Sequence, residues 1–236
     1  MALPKLNETL KHDMIIPSSG RAITYRPYLV KEEKILLQAI ESQDQKQAMR
    51  AMVDTVVACV TEDIRANELT TFDVEYMFTQ VRAKSVGESS SVNIACSAID
   101  CENKTEVQID LTSVELNEAD PNNIIELTPE ISVEVSYPSY TSFLKNYKEG
   151  MSETEFAFVM LEDCLAAILT PDERIDVREA SNAELKEFIN SMTSKQFEKI
   201  GDYLQTAPKM RKTVEFKCSE CGHDNNVTLE GLQDFF

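Results

Sequence analysis

The chain has only two histidines, His12 and His223, in 236 residues, which leaves little material for a histidine-based nucleophile system. Its six glycines make elaborate phosphate-cradling loops improbable, and no HExxH or GxSxG motif occurs. Scattered Asp and Glu residues read most simply as an acidic surface, so the expectation is a protein that is not an enzyme. No run of about 18 apolar residues exists, so no stable membrane insertion is expected. The first eight residues, Met1 to Glu8, lack the charged and apolar regions of a secretory signal. A cytoplasmic setting follows as an expectation, and there reduced thiols make paired cysteines read as metal ligands first. Basic residues are also scarce, 23 Lys and Arg against 41 Asp and Glu, for a formal charge of -18. Such a chain repels nucleic acid and anionic membranes unless a basic patch is segregated. The short cluster Lys209-Met210-Arg211-Lys212 reads as a solvated strand entry, and no nucleic-acid partner is expected.

What is present is enough to bury a core as one or two domains. Met14-Ile15-Ile16 and Ala22-Ile23-Thr24-Tyr25 flank Pro17-Ser18-Ser19-Gly20, which predicts an N-terminal β-hairpin. Helices are expected over Val30 to about Glu41, with Ile35, Leu36 and Ile40 on one side, and over about Asp44 to Arg65. The second of these places Cys59 on an apolar stripe, as a core thiol. A third helix should begin near Thr70, with Asp73 completing a capping signature, and stop at Gly87. Alternating Ile131, Val133 and Val135 read as a strand that Pro138 ends. The region from about 139 to 206 reads as helical, with capping-box spacing at Ser152 and Glu155, Ser181 and Glu184, and Thr193 and Gln196. Cys164 falls there with Phe156, Met160 and Ile168 on one face, again a core thiol, and the acidic segment Glu115 to Asp120 reads as a mobile loop.

The strongest internal signal is a repeat. One copy reads Val92-Asn93-Ile94-Ala95-Cys96, then Cys101, then Val107-Gln108-Ile109. The other, 122 positions on at its first cysteine, reads Val214-Glu215-Phe216-Lys217-Cys218, then Cys221, then Val227-Thr228-Leu229. In both, apolar residues lie four and two positions before the first cysteine and six and eight after the second. Only the knuckles differ, with four residues between the cysteines in one and two in the other. Each copy predicts a hairpin with two thiolates at its tip, and two facing tips present four sulfurs in a tetrahedron. Period-two alternation gives each hairpin one apolar face, so two such faces can pack beneath the metal.

Cys96, Cys101, Cys218 and Cys221 are therefore the candidate ligands of one structural Zn2+ in a split zinc ribbon. Four thiolates close the coordination sphere, whereas a catalytic zinc keeps a position open. Unrelated free thiols and a redox CxxC are the competing readings; the matched flanks and the lack of a strand-to-helix context weigh against them. His223 could replace one ligand but reads rather as a surface residue or one that supports the ligands from outside. The expected fold is α+β, mostly helical, with an N-terminal β-hairpin and a split zinc ribbon of two β-hairpins closed by a four-cysteine site. Its expected organisation is 1-87, hairpin plus helices; 88-111 with 212-236, the ribbon; and 112-211, an inserted and mainly helical subdomain with its ends close together. Leu229, Leu232, Phe235 and Phe236 crowd the last eight positions, and this tail either folds back over the ribbon or helices or docks into a partner.

Several stretches resemble a known family. Met1 to Asn7, Tyr25 to Lys34, Phe72 to Tyr76 with Arg82 to Glu88, and Cys218 to His223 running into Leu229 to Phe236 are similar to the baseplate hub proteins of T-even-type bacteriophages, of the hub-assembly class. The resemblance spans nearly the whole length; from about 112 to 205 it extends only to general helical character. It implies a tail-morphogenesis protein that helps assemble the central baseplate hub in the host cytoplasm, as an assembly factor or a hub subunit of the virion. Its implied partners are other phage baseplate hub or tail proteins, and it brings no catalytic residues. The rival reading is a zinc-ribbon adaptor in transcription or nucleic-acid processing. Asp100, Glu102, Glu220 and Asp224 around the knuckles disfavour it, since such ribbons are usually basic there.

Overall fold

The computed structural model describes residues 10–148 and 150–235, and within helices not the side chains of 153, 154 and 156. Met1 to Asn7, the Phe156 side chain and Phe236, each named above, lie outside the described residues. The fold is α+β, and the chain divides into two units. One holds residues 1–66, 72–117 and 209–236; the other holds 67–71 and 118–208. No described helix is long and apolar enough to cross a membrane.

The first unit opens with the expected hairpin, β1 (His12–Ile15) and β2 (Ala22–Tyr25), paired antiparallel with Ile15 opposite Ala22. Its turn is fixed from a distance. Asp73, fully buried, accepts from the Ser18 backbone N–H at 2.9 Å and from its hydroxyl at 2.6 Å. This gives the third helix, α3 (Thr71–Ser85), a tie to the hairpin that its capping signature does not announce. Helix α2 (Gln45–Cys59) starts where Asp44 accepts the Gln47 N–H at 3.0 Å. It ends six residues before the expected Arg65. The Cys59 carbonyl accepts from Arg26, Thr61 donates to Thr24, and Val60 bridges Tyr25, so strand-like pairing to β2 competes with further helix. Cys59 is a buried core thiol as expected, its pKa pushed up to about 11 by burial.

Helix α1 (Val30–Glu41) has the expected bounds, and its apolar side is not the buried one. Ile35 and Ile40 are exposed, and the buried residues are Ala39 and Glu32. A buried carboxylate is tolerated only when paired. Glu32 accepts from Arg26 Nη2 at 2.8 Å and, in the manner of a capping box, from the Leu29 N–H at 2.9 Å. Burial alone would raise its pKa, but these bonds and Lys31 hold it down to about 2, below the ordinary 4.5. A depressed carboxyl contributes stability that is present above about pH 4.5 and is lost as pH falls towards 2. Glu32→Gln should therefore lower stability by about 2 kcal/mol at pH 7 and flatten its dependence on pH in that acid window. Urea unfolding at pH 7 and pH 3 checks both effects.

The second unit is built on an antiparallel sheet of order β6 (Ile124–Thr128), β7 (Ile131–Val135), β8 (Leu165–Leu169) and β9 (Arg174–Asp176). Its helices are α4 (Tyr140–Asn146), α5 (Glu153–Cys164), α6 (Asn182–Asn190) and α7 (Ser194–Gln205). The three capping boxes form at the N-termini of α5, α6 and α7 as read from the sequence. The expectation of helix throughout 139–206 fails at β8 and β9. Cys164 is the last residue of α5 and fully buried, whereas Ile168 lies on a strand rather than on the same helix face. Val133, Val135, Leu161, Leu165 and Ile200 form the core between sheet and helices, and Lys199 Nζ on α7 donates to the Glu126 carbonyl at 2.7 Å.

Candidate metal centre

Two hairpins of the first unit carry the cysteines. β3 (Ser89–Ala95) pairs with β4 (Lys104–Asp110), and β10 (Met210–Lys217) pairs with β11 (Asp224–Glu230). Their registers are the same. Val92 faces Val107 as Val214 faces Val227, and Ile94 faces Thr105 as Phe216 faces Asn225. The alternation read from the sequence brings one face of each hairpin onto a shared core of Ile94, Ile109, Leu111, Met210, Leu229 and Phe235, with the four valines packed at its margin.

The chain leaves this unit after Asn117 and returns at Lys209. The segment expected to be a mobile loop supplies β5 (Glu115–Leu116), which pairs with β10 at Met210 and Arg211. The basic cluster is indeed a strand entry, with Met210 fully buried and Arg211 ion-paired to Glu230 at 2.5 Å. At the C-terminus, Leu229 is buried, and a 3-10 turn over Leu232–Phe235 sets Phe235, without exposed surface, into the core that the hairpins share. Of the two readings of the tail, its described part follows the fold-back.

Both knuckles close through the same repeat positions. The Cys96 N–H donates to the Asn103 carbonyl and the Cys218 N–H to the His223 carbonyl, each at 2.9 Å. Gly222, with φ of +71°, makes the tight turn of the shorter knuckle and donates to the Cys218 carbonyl at 3.0 Å. The tips meet so that Cys96 Sγ lies 3.7 Å from Cys221 Sγ and Cys101 Sγ 3.7 Å from Cys218 Sγ. All four sulfurs lie within 4.8 Å of one another. That is too far for a disulfide, whose sulfurs sit about 2.05 Å apart. A tetrahedron of thiolates about 2.3 Å from a zinc ion has edges of about 3.8 Å. The donor set and its spacing thus fit a closed tetrathiolate site, and the four cysteines could hold a metal ion. His223 is exposed and contributes its carbonyl to the knuckle.

The surroundings favour a thiolate at one ligand before any metal arrives. Cys218 is buried, and its Sγ accepts from Asn103 Nδ2 at 3.5 Å. That amide, with the backbone N–H groups of Cys221 and Glu220, brings its pKa down to about 5. At Cys101 the Asn103 N–H also pulls downward, but desolvation and the adjacent thiols push the group up to about 12. Four thiols this close cannot all ionise unless a cation compensates them.

A pair of reciprocal hydrogen bonds joins the knuckles. The N–H of Ser97, one residue after Cys96, donates to Asn225 Oδ1 at 2.8 Å, and the N–H of Ser219, one residue after Cys218, donates to Thr105 Oγ1 at 3.1 Å. Thr105 and Asn225 each stand four positions after the second cysteine of their copy, so the repeat carries a two-fold stitch as well as its ligands. Asn225 is buried, also accepts from the Ser97 hydroxyl at 2.8 Å, and donates to the His223 carbonyl at 2.9 Å. Neither residue stands out by periodicity or motif; the signal the sequence offers is a polar side chain on the otherwise apolar face at matched positions. Asn225→Ala should leave the Ser97 N–H without its acceptor, at a cost of about 1–3 kcal/mol. Its metal affinity should fall about 10–100-fold, as with other residues that support metal ligands from outside, and competition with a chromophoric chelator measures the drop.

No curated protein and no solved structure matches the chain. Over residues 9–236 it matches the family model described as T4 bacteriophage base plate protein, which takes in both hairpins, all four clustered cysteines and the second unit. With nearly the whole length so matched, the chain belongs to the T4 bacteriophage base plate protein family.

Proposed function

We propose that the chain is a non-enzymatic tail-morphogenesis protein that assists assembly of the central baseplate hub through protein–protein contacts, with one structural zinc ion in its split ribbon. The family match over residues 9–236 carries this reading, because a baseplate protein works by contacts with other tail and baseplate proteins. Zinc is the ion that four clustered thiolates at these separations suit best in a reduced cytoplasm. Bound there, it would supply a cross-link between two hairpins distant in sequence, with Cys96, Cys101, Cys218 and Cys221 as its four ligands. The chain's own residues do the rest: they pack the hairpin faces, close the knuckles and stitch the tips together. Such a protein acts in the host cytoplasm during assembly and then either stays in the virion baseplate or is released.

Co-expression with the other baseplate and tail proteins of the same phage, followed by purification through a tag on this chain, tests the reading. Stoichiometric co-purification of a hub component is the expected result. A salt-sensitive shift of nucleic acid, with no baseplate protein retained, would favour the zinc-ribbon adaptor instead.

A further inference from the structure

The two knuckles agree in register and in closing hydrogen bonds but not in length: Ser97-Ala98-Ile99-Asp100 in one stands where the other has Ser219-Glu220. Two residues suffice to place a pair of sulfurs in this cluster, as Cys218 and Cys221 do. The longer knuckle therefore carries two residues that the site does not need. Their outcome is Ile99, whose relative exposure of 101% exceeds that of every other large apolar side chain among the described residues. A single exposed isoleucine on an ordinary surface needs no explanation. This one sits on a tip fixed from several directions. The Ala98 carbonyl accepts the Cys101 N–H at 3.1 Å, Ser97 is held by Asn225 through two bonds, and Cys96 and Cys101 anchor both ends in the sulfur cluster.

Carboxylates crowd the tips of the two knuckles. Asp100, Glu102 and Glu220 line one notch next to Cys101 and Cys221. An apolar anchor with a charged rim is the arrangement that protein interfaces use, the anchor giving affinity and the rim giving orientation and encounter rate. A rigid tip also loses little conformational entropy on docking. The sign of the rim selects the occupant. Nucleic acid and anionic bilayers are repelled, and a second copy would set the same carboxylates against a chain of net charge -18.

We propose that the Cys96–Cys101 knuckle is a docking tip, with Ile99 entering an apolar socket on another baseplate protein and Lys or Arg residues around that socket facing Asp100, Glu102 and Glu220. The identity of the partner as a baseplate protein rests on the proposed function; the chemistry of the socket rests on the tip.

The test is to co-express the full chain with each other baseplate protein of the same phage singly, and to measure Kd for those that bind. Ile99→Asp should weaken binding about 30-fold, the loss typical of a central anchor, at unchanged metal content and melting temperature. Glu102→Lys with Glu220→Lys should slow association and flatten its salt dependence. Should Ile99→Asp disturb the metal, Ile99→Ser decides, with the same loss expected. A partner that binds Ile99→Asp and the metal-replete Ile99→Ser as well as it binds the parent chain would overturn the docking tip and leave the assembly role standing. Failure of any baseplate protein to bind the parent chain would overturn the assembly role and the tip together. A dimer of the chain that Ile99→Asp converts to monomer in sedimentation would assign the tip to a second copy and overturn the proposal.

Discussion

Replacing Cys218 with serine is expected to abolish stoichiometric metal and to destabilise the first unit by about 4 kcal/mol or more. The metal would join hairpins whose first cysteines are 122 positions apart, and cross-linking a loop of about 100 residues removes about 4.7 kcal/mol of chain entropy from the unfolded state. Zinc bound by small peptides is worth still more, because there the metal supplies nearly all of the folding energy. Here an apolar core and the Ser97–Asn225 and Ser219–Thr105 bonds already hold the hairpins together, so part of the fold should outlast the metal. Calorimetry with and without a chelator should show the parent chain losing about 10 °C or more in one transition. Cys96→Ser, Cys101→Ser and Cys221→Ser should behave alike. Cys59→Ala and Cys164→Ala should keep full metal content, since both thiols are buried and neither belongs to the cluster.

The second large effect is expected at Phe235. Its ring has no exposed surface and lies in the core that both cysteine hairpins share. Truncating a buried phenylalanine typically costs about 3–5 kcal/mol, through lost transfer energy and the cavity left behind. Phe235→Ala should therefore lower the stability of the first unit by about that amount and weaken metal retention, because the two faces beneath the tips no longer pack. Ending the chain at Asp234 should do at least as much. Unchanged melting with loss of a baseplate partner would instead make Phe235 an anchor. Denaturant unfolding beside the co-purification assay separates the two.

How far the sequence reveals this molecule depends on where the deciding interactions lie. The four clustered cysteines are legible because a metal site repeats its spacing locally, and the matched flanks mark both hairpins. Capping boxes such as Ser181 with Glu184 are legible for the same reason, since all their partners fall within four residues. The strand Leu165-Ala166-Ala167-Ile168-Leu169 is not. It is continuously apolar and follows a helix directly, so periodicity cannot separate it from more helix; its pairing with β7 decides, some thirty positions away. The end of α2 is settled by Val60 bridging Tyr25, another non-local choice. On α1 the apolar pattern misleads, because the Arg26–Glu32 pair turns a carboxylate inward and leaves Ile35 and Ile40 in solvent. The Thr105 and Asn225 stitch is hidden in plain view, at equivalent positions of a repeat whose cysteines and apolar residues draw the eye first.

The proposed zinc ion would sit in one closed tetrathiolate site between two distant hairpins, which X-ray absorption at the zinc edge of the purified protein can test. The expected spectrum has four sulfur neighbours at about 2.3 Å and no nitrogen or oxygen contribution, at one zinc per chain. A coordination sphere containing imidazole or water, or protein isolated under reducing conditions without stoichiometric zinc, would contradict it.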